Sequence, residues 1–279
     1  MSSRARTKGK PAIYFALALI LVFFALPLLW LLSLSIRTSA EILVAEVRIV
    51  PRLPTLQNFV EVLKNPQFLG YLWNGLKLSI VGAAGACVAA APASYALSRF
   101  QFQGKTQLLF VVLGFQMISP LVIMVPLYRY MQTLGLTESH FGAALVYAAV
   151  SAPIATWILK GSFDAIPKEL EEAAMIDGCS RSQAFLRIIL PIGLPGLASA
   201  FILTGMLGWS QFIVPFILLS QPDKLPISVG IFNFLGAYTG SATQLVAAAS
   251  VLSLLPAMVI FLIFQNFVVG ALTAGALKE

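Results

Sequence analysis

Six long apolar runs dominate the chain, each with about the ~20 residues a helix needs to cross a hydrocarbon core. They lie near Ala12–Ile36, Leu76–Leu97, Leu108–Tyr128, Phe141–Leu159, Leu197–Leu219 and Leu245–Val269. The pattern predicts an all-α polytopic membrane protein: a tail at 1–11, one domain of six transmembrane helices over 12–272, and a second tail at 273–279. The first run follows Arg4, Arg6, Lys8 and Lys10, as the core of a secretory signal would. It is about twice the length of such a core, and the small residues around Ser33 and Ser35 make a poor cleavage site, so it reads as a retained span.

Between the runs, Lys and Arg are unevenly shared. With the N-terminus inside, the inner segments hold Arg4, Arg6, Lys8, Lys10, Arg99, Lys105, Lys160, Lys168, Arg181, Arg187 and Lys278. The outer ones hold Arg37, Arg48, Arg52, Lys64, Arg129 and Lys224. Positive charge concentrates on the cytoplasmic side, so eleven against six predicts both termini in the cytoplasm. Lys77 is left to snorkel from the end of the second run.

Composition agrees with that class: 59% of residues are hydrophobic and 10% charged, against roughly 25% charged in soluble domains, and mean hydropathy is +0.89. The net charge of +7 reads as membrane orientation, not as a nucleic-acid surface, because the basic residues gather on no amphipathic face. None of the six runs contains Asp or Glu, which disfavours a proton-driven carrier with an intramembrane carboxylate relay. His140 is expected to be a solvated residue of a short outer loop. Cys87 within a run and Cys179 in a loop predict neither a disulfide nor a zinc site. Gly104-Lys105-Thr106 looks like the end of a phosphate-binding loop, but Arg99 stands where that pattern needs glycine, so the chain is not expected to bind ATP.

Two small-residue stripes in the second run, Gly82/Ala86/Ala90 and Gly85/Ala89/Ala93, have the spacing that lets helix backbones approach closely in lipid. Prolines 27, 92, 120, 126, 153, 215 and 256 fall inside or beside the runs, where membrane helices accommodate them as kinks. Gln116, Ser119, Ser210, Gln211, Asn233 and Gln265 are polar groups in or near the runs. They either line a path for a hydroxyl-rich solute or hydrogen-bond between helices.

The loop Lys160–Pro195 carries the most specific pattern. Pro167 can open a helix, the charged stretch through Asp177 continues it, and Gly178 can end it at positive φ. Ser180 and Gln183 have capping-box spacing for a second helix, with Phe185, Ile188 and Ile189 on one face, ending before Pro191. A helix, a glycine corner and a second helix suit either an interfacial hairpin or a docking element.

Glu172-Ala173-Ala174, Asp177-Gly178, Ile188 and Leu190-Pro191 resemble the EAA loop of binding-protein-dependent ABC importer permeases. The run from Pro167 to Ala174 is similar to the carbohydrate-uptake branch, with its shorter maltose, trehalose and glycerol-phosphate permease subunits. Pro54–Phe59, Tyr95–Phe100 with Gly104-Lys105, Pro126-Leu127-Tyr128, Leu134-Gly135-Leu136 and Gly270–Ala276 extend the resemblance over nearly the whole chain. Cys179, Asn266 and Gly75 depart from it, at positions usually alanine, basic and serine.

The resemblance implies a type I ABC importer permease fold in a bacterial inner membrane. It implies a heterodimer with a second permease subunit, two ATPase subunits docked on the cytoplasmic loops, and an extracytoplasmic solute-binding protein. ATP and Mg would be bound by the ATPase subunits, with no cofactor or catalysis in this chain. Glu172 would offer its charge to the ATPase groove, Ala173 and Ala174 would allow close approach, and Gly178 would set the exit angle. The loop 220–243 would provide a scoop, Leu235, Gly236, Tyr238, Thr239, Gly240 and Ser241, entering the binding protein. The solute would be a sugar or a related glycoside, polyol or glycerol-phosphate compound. An amino-acid or peptide permease is the nearest alternative, then a secondary transporter or a structural membrane subunit.

Overall fold

The computed structural model describes residues 10–43, 50–237 and 242–274. Among them every regular element is helical: α1 (Lys10–Ser35), α2 (Ser39–Leu43), α3 (Gln57–Lys64), α4 (Pro66–Arg99) and α5 (Lys105–Gly114). A 3-10 turn (Phe115–Met117) then leads to α6 (Pro120–Thr133), α7 (His140–Asp164), α8 (Glu169–Ile176) and α9 (Arg181–Ala184). A π-helical turn (Phe185–Ile189) joins α9 to α10 (Leu190–Ile192), and α11 (Leu194–Trp209), α12 (Ile213–Leu218), α13 (Ile227–Ala237) and α14 (Thr243–Ala274) complete the chain.

Four stretches are each long and apolar enough to cross a membrane: Ile13–Ser35, Pro66–Arg99, His140–Asp164 and Thr243–Gln265. Two bent pairs bring the number to as many as six. The third predicted run is not one straight helix. Lys105–Met117 and Leu121–Thr133 meet at 95°, because Ile118 and Ser119 are extended (ψ 122° and 128°) ahead of Pro120, as a proline demands of its predecessor. The fifth run is also divided. Within it α11 stops at Trp209 before Pro215, which lies within α12, and ahead of it Arg181–Ile192 and Leu194–Trp209 are bent by 73° about Gly193.

The chain forms two compact units, one of residues 1–68 and 231–254, the other of 69–230 and 255–279. In the first, Arg37 is buried with its guanidinium over the Trp30 ring and donating to Ser33 Oγ at 3.3 Å. The Asn58 amide donates to the carbonyls of Ser35 and Arg37, both at 2.8 Å, tying α3 to the end of α1. Most large apolar side chains of α1 stand exposed, the condition of a helix solvated by lipid or covered by a partner.

In the second unit, α4, α7 and α11 pack through small residues. A Cβ added at Gly82 would lie 2.6 Å from Tyr147 Cβ, and one at Gly85 would lie 2.9 Å from Ala148 Cβ. Ser94 Oγ donates across to Thr156 O at 3.0 Å. Gly208 rests on Ser79 and Tyr147 in the same way. Of the two small-residue stripes, Gly82, Ala86 and Ala90 are buried, whereas Ala89 and Ala93 are exposed. The core continues through Tyr95, Leu159, Phe163, Ile166 and Ile189 toward the loop that follows α7.

Candidate functional site

Helix α8 is shorter than the Pro167–Asp177 stretch read from the sequence. Pro167 stays outside it, Lys168 is the N-cap, and Glu169, Glu171 and Glu172 fill the first turn, where carboxylates oppose the positive end of the helix dipole. The opposite end is a full Schellman closure: Gly178 N–H donates to Met175 O at 3.1 Å and Cys179 N–H to Ala174 O at 3.0 Å. Gly178 adopts φ +91°. Two residues later, Ser180 Oγ accepts from Gln183 N–H (3.3 Å) while Gln183 Oε1 accepts from Ser180 N–H (2.8 Å). This capping box contributes on the order of 1 kcal/mol. The second helix does not end before Pro191. It passes through the π turn into α10 and turns at Gly193, which lies against Phe163.

The structure separates the two adjacent glutamates. Glu172 is exposed, with Ala173, Asp177 and Gly178, and Ile176 is 86% exposed beside them. Glu171 is buried. Its Oε1 accepts from the Tyr95 hydroxyl, and its Oε2 lies 3.0 Å from Arg99 Nε, an ion pair set outside hydrogen-bond alignment. Arg99 also donates to Ile166 O at 3.0 Å. Neighbouring Ser98 donates to Asp164 Oδ1 at 2.7 Å, and Lys160 binds Asp164 Oδ2 at 2.6 Å. Removing one member of a buried ion pair costs roughly 3–5 kcal/mol, because the remaining charge is left uncompensated. The sequence pattern puts Glu171 with Lys168, Glu169 and Glu172 on one charged flank, and the structure takes it out of that flank and buries it. The paired Glu171-Glu172 signals only that the two point about 100° apart on a helix, not which of them is buried.

On the far side of the corner, the Tyr95 and Phe185 rings lie 4.8 Å apart and Arg181 stands 5.1 Å over the Phe100 ring. Ile188 is half-buried, Leu190 likewise, and Pro191 is exposed. The loop therefore presents α8 outward by one face and is anchored by the other.

Of the polar residues singled out along the spans, Gln116, Ser210 and Gln211 line one cavity of about 260 Å³ together with Tyr147, Ser151, Ile154 and Gly208. Its lining contains no charged side chain. The Gln116 amide reaches Val150 O at 3.0 Å. Gln211 O accepts from Ser228 Oγ at 2.8 Å and from the Tyr147 hydroxyl at 3.3 Å. The Gln211 carbonyl in the break between α11 and α12 is thus satisfied by side chains, as apolar surroundings require. Ser119 and Asn233 are exposed and are not part of this lining.

Elsewhere in the same unit, His140 is no solvated loop residue. It begins α7 half-buried; its Nε2–H donates to Lys224 O at 2.9 Å, leaving Nδ1 to accept from the Lys77 ammonium at 3.5 Å. Beside it Glu138 holds φ +54° while its carboxylate accepts from the backbone N–H groups of Ser220 (2.7 Å) and Gln221 (3.3 Å). Burial pulls the Glu138 carboxyl upward, but these hydrogen bonds and the Lys224 charge outweigh it and hold its pKa below the usual value. For the expected scoop, Leu235 and Gly236 fall within the backbone of α13, and Tyr238, Thr239, Gly240 and Ser241 lie outside the described residues.

The family model for binding-protein-dependent transport system inner membrane components matches residues 85–273. The chain is 31% identical over 270 residues to the sulfoquinovosyl glycerol transport system permease protein SmoH of Agrobacterium fabrum, covering 97% of this chain and 94% of that protein. It is 32% identical over 269 residues to the galactooligosaccharides transport system permease protein GanQ of Bacillus subtilis, covering 95% and 94%. A chain of a bacterial ABC transporter that imports the acidic polysaccharide alginate shares the fold with a TM-score of 0.79 at 21% identity, over 95% of this chain and 98% of that one.

Proposed function

The chain belongs to the family of binding-protein-dependent transport system inner membrane components, and from that premise we propose that it is the translocation subunit of an ABC importer for a neutral saccharide or related glycoside. The observation that carries the coupling role is α8. Its exposed face runs from Glu172 in the first turn through Ala173 and the 86%-exposed Ile176 to the glycine corner, a surface fit for the groove of an ATPase subunit. ATP and Mg reside in two such partner subunits, and hydrolysis is their work. A second permease completes the pathway, and a solute-binding protein delivers the solute, with residues 235–241 as the proposed contact.

The solute class rests on the cavity of Gln116, Ser151, Ser210 and Gln211 beside Tyr147. Amides and hydroxyls with one aromatic face match a sugar's hydroxyls and its apolar ring side, whereas an amino acid's charges would find no counter-charge there. Reconstituted with its partners and binding protein, the complex should show ATP hydrolysis stimulated several-fold by neutral oligosaccharides such as trehalose or maltose. Stimulation by methionine or a dipeptide alone would reject the saccharide reading.

Orientation has its own test. The distribution of basic residues supports a cytoplasmic location for both termini and α8. In a Cys87→Ser background, a membrane-impermeant maleimide should label Cys179, which is half-buried, in inverted vesicles and not in intact cells. Labelling of intact cells reverses the topology.

A further inference from the structure

The ion pair of Glu171 with Arg99 forms no part of the exposed docking face, yet it is the polar connection of α8 to the spans. Ala165–Lys168 precede α8 without helical structure, and beyond the Gly178 corner α8 packs on α9 and the π turn. Its polar ties to the spans gather at the end of α4. Arg99 holds Ile166 O and Glu171 together, Tyr95 adds its hydroxyl to Glu171 and its ring to Phe185, and Ser98 holds Asp164.

From α4 the contacts run on without a gap. Gly82 and Gly85 seat Tyr147 and Ala148 of α7 directly on the α4 backbone, and Ser94 bonds Thr156 O. Tyr147 then lines the cavity and donates to Gln211 O. Close-packed helices transmit displacement instead of absorbing it. A shift of α8 that preserves the Glu171–Arg99 pair therefore carries α4, α7 and one wall of the cavity with it.

We propose that Glu171, Arg99 and Tyr95 form an electrostatic staple that converts movement of the ATPase-docked helix into movement of α4 and α7. Glu172 would make the contact with the partner, and Glu171 would deliver its motion to the membrane. In this role Glu171 and Arg99 are positioning residues. The inference rests on the coupling function assigned to α8 above.

The test uses the complete importer in proteoliposomes, with Cys87→Ser and Cys179→Ser, and Ser151→Cys as a reporter in the cavity. The probe is an impermeant maleimide, with and without Mg-ATP and vanadate. With the staple intact, vanadate trapping should change the reporter's labelling rate several-fold. Glu171→Gln should lose that change. Because the single variant leaves Arg99 buried without its counter-charge, Arg99→Met with Glu171→Gln is the decisive variant. It should retain its ATPase subunits and still trap vanadate, while the reporter stays unresponsive. A double variant whose labelling responds as fully as the intact staple overturns the inference. So does one that loses its ATPase subunits, since the pair would then be scaffold alone. An unresponsive reporter with the staple intact rejects the coupling function itself, and the inference falls with it.

Discussion

Gly82→Ile is expected to leave little or no folded chain in the membrane. Its first added carbon would lie 2.6 Å from Tyr147 Cβ and 3.3 Å from Tyr147 Cδ2, well inside van der Waals contact. Tyr147 has nowhere to go: it is buried, its ring also packs on Gly208, and its hydroxyl is committed to Gln211 O. The strain must be relieved by parting α4 from α7, which also loosens the Gly85–Ala148 contact and the Ser94–Thr156 bond. Overpacking a tight core costs typically 1–3 kcal/mol, and the further carbons of isoleucine bring the expected loss to about 3 kcal/mol or more. The measurement is the yield and melting temperature of a fluorescent fusion on size exclusion. Ala89→Ile is the control, on the same helix but exposed, and should behave as the unmodified chain. Equal yield and melting temperature for the two variants would show that α4 and α7 do not pack through Gly82.

The second large effect falls on transport and spares assembly. Gly178 holds φ +91° with no atom within 4 Å of an added Cβ, so a substitution there acts through backbone strain and not through a clash. Strain of this kind costs roughly 1–3 kcal/mol, and a β-branched residue suffers most. Both Schellman hydrogen bonds depend on that conformation. Gly178→Val should therefore re-aim α8, with Gly178→Asp showing a milder form of the same defect. The expected result is solute-stimulated ATP hydrolysis reduced about tenfold or more for valine, the equivalent of roughly 1.4 kcal/mol of lost coupling. Insertion and pairing with the partner permease should be unchanged. Stimulation at the unmodified level in Gly178→Val would remove the corner from the mechanism.

The features legible in the sequence are those whose causes lie within a few residues of each other. Apolar runs long enough to cross a bilayer require helices, because backbone groups in hydrocarbon must be satisfied within the segment. Ser180 and Gln183 pair across one turn, and Gly178 relieves strain at its own φ, so the corner of the Lys160–Pro195 loop follows from local chemistry. Proline by itself did not mark the breaks. Pro27, Pro92, Pro126, Pro153 and Pro256 all sit inside continuous helices, whereas the chain bends ahead of Pro120 and at Gly193.

Other features had to wait for the tertiary structure, because their causes come from distant parts of the chain. Two small-residue stripes on α4 look alike in sequence, and the arrival of Tyr147 and Ala148 decides which is buried. His140 is held by Lys77 and Lys224, far away on either side of it in the chain. Gln116, Ser210 and Gln211 share a cavity only because the helices around α7 bring their ends together. The Glu171–Glu172 pair shows the division most directly. Helix formation and the need for a negative first turn act on both residues alike, so local sequence cannot rank them. Tyr95 and Arg99, more than seventy residues earlier in the chain, bury one glutamate and leave its neighbour exposed.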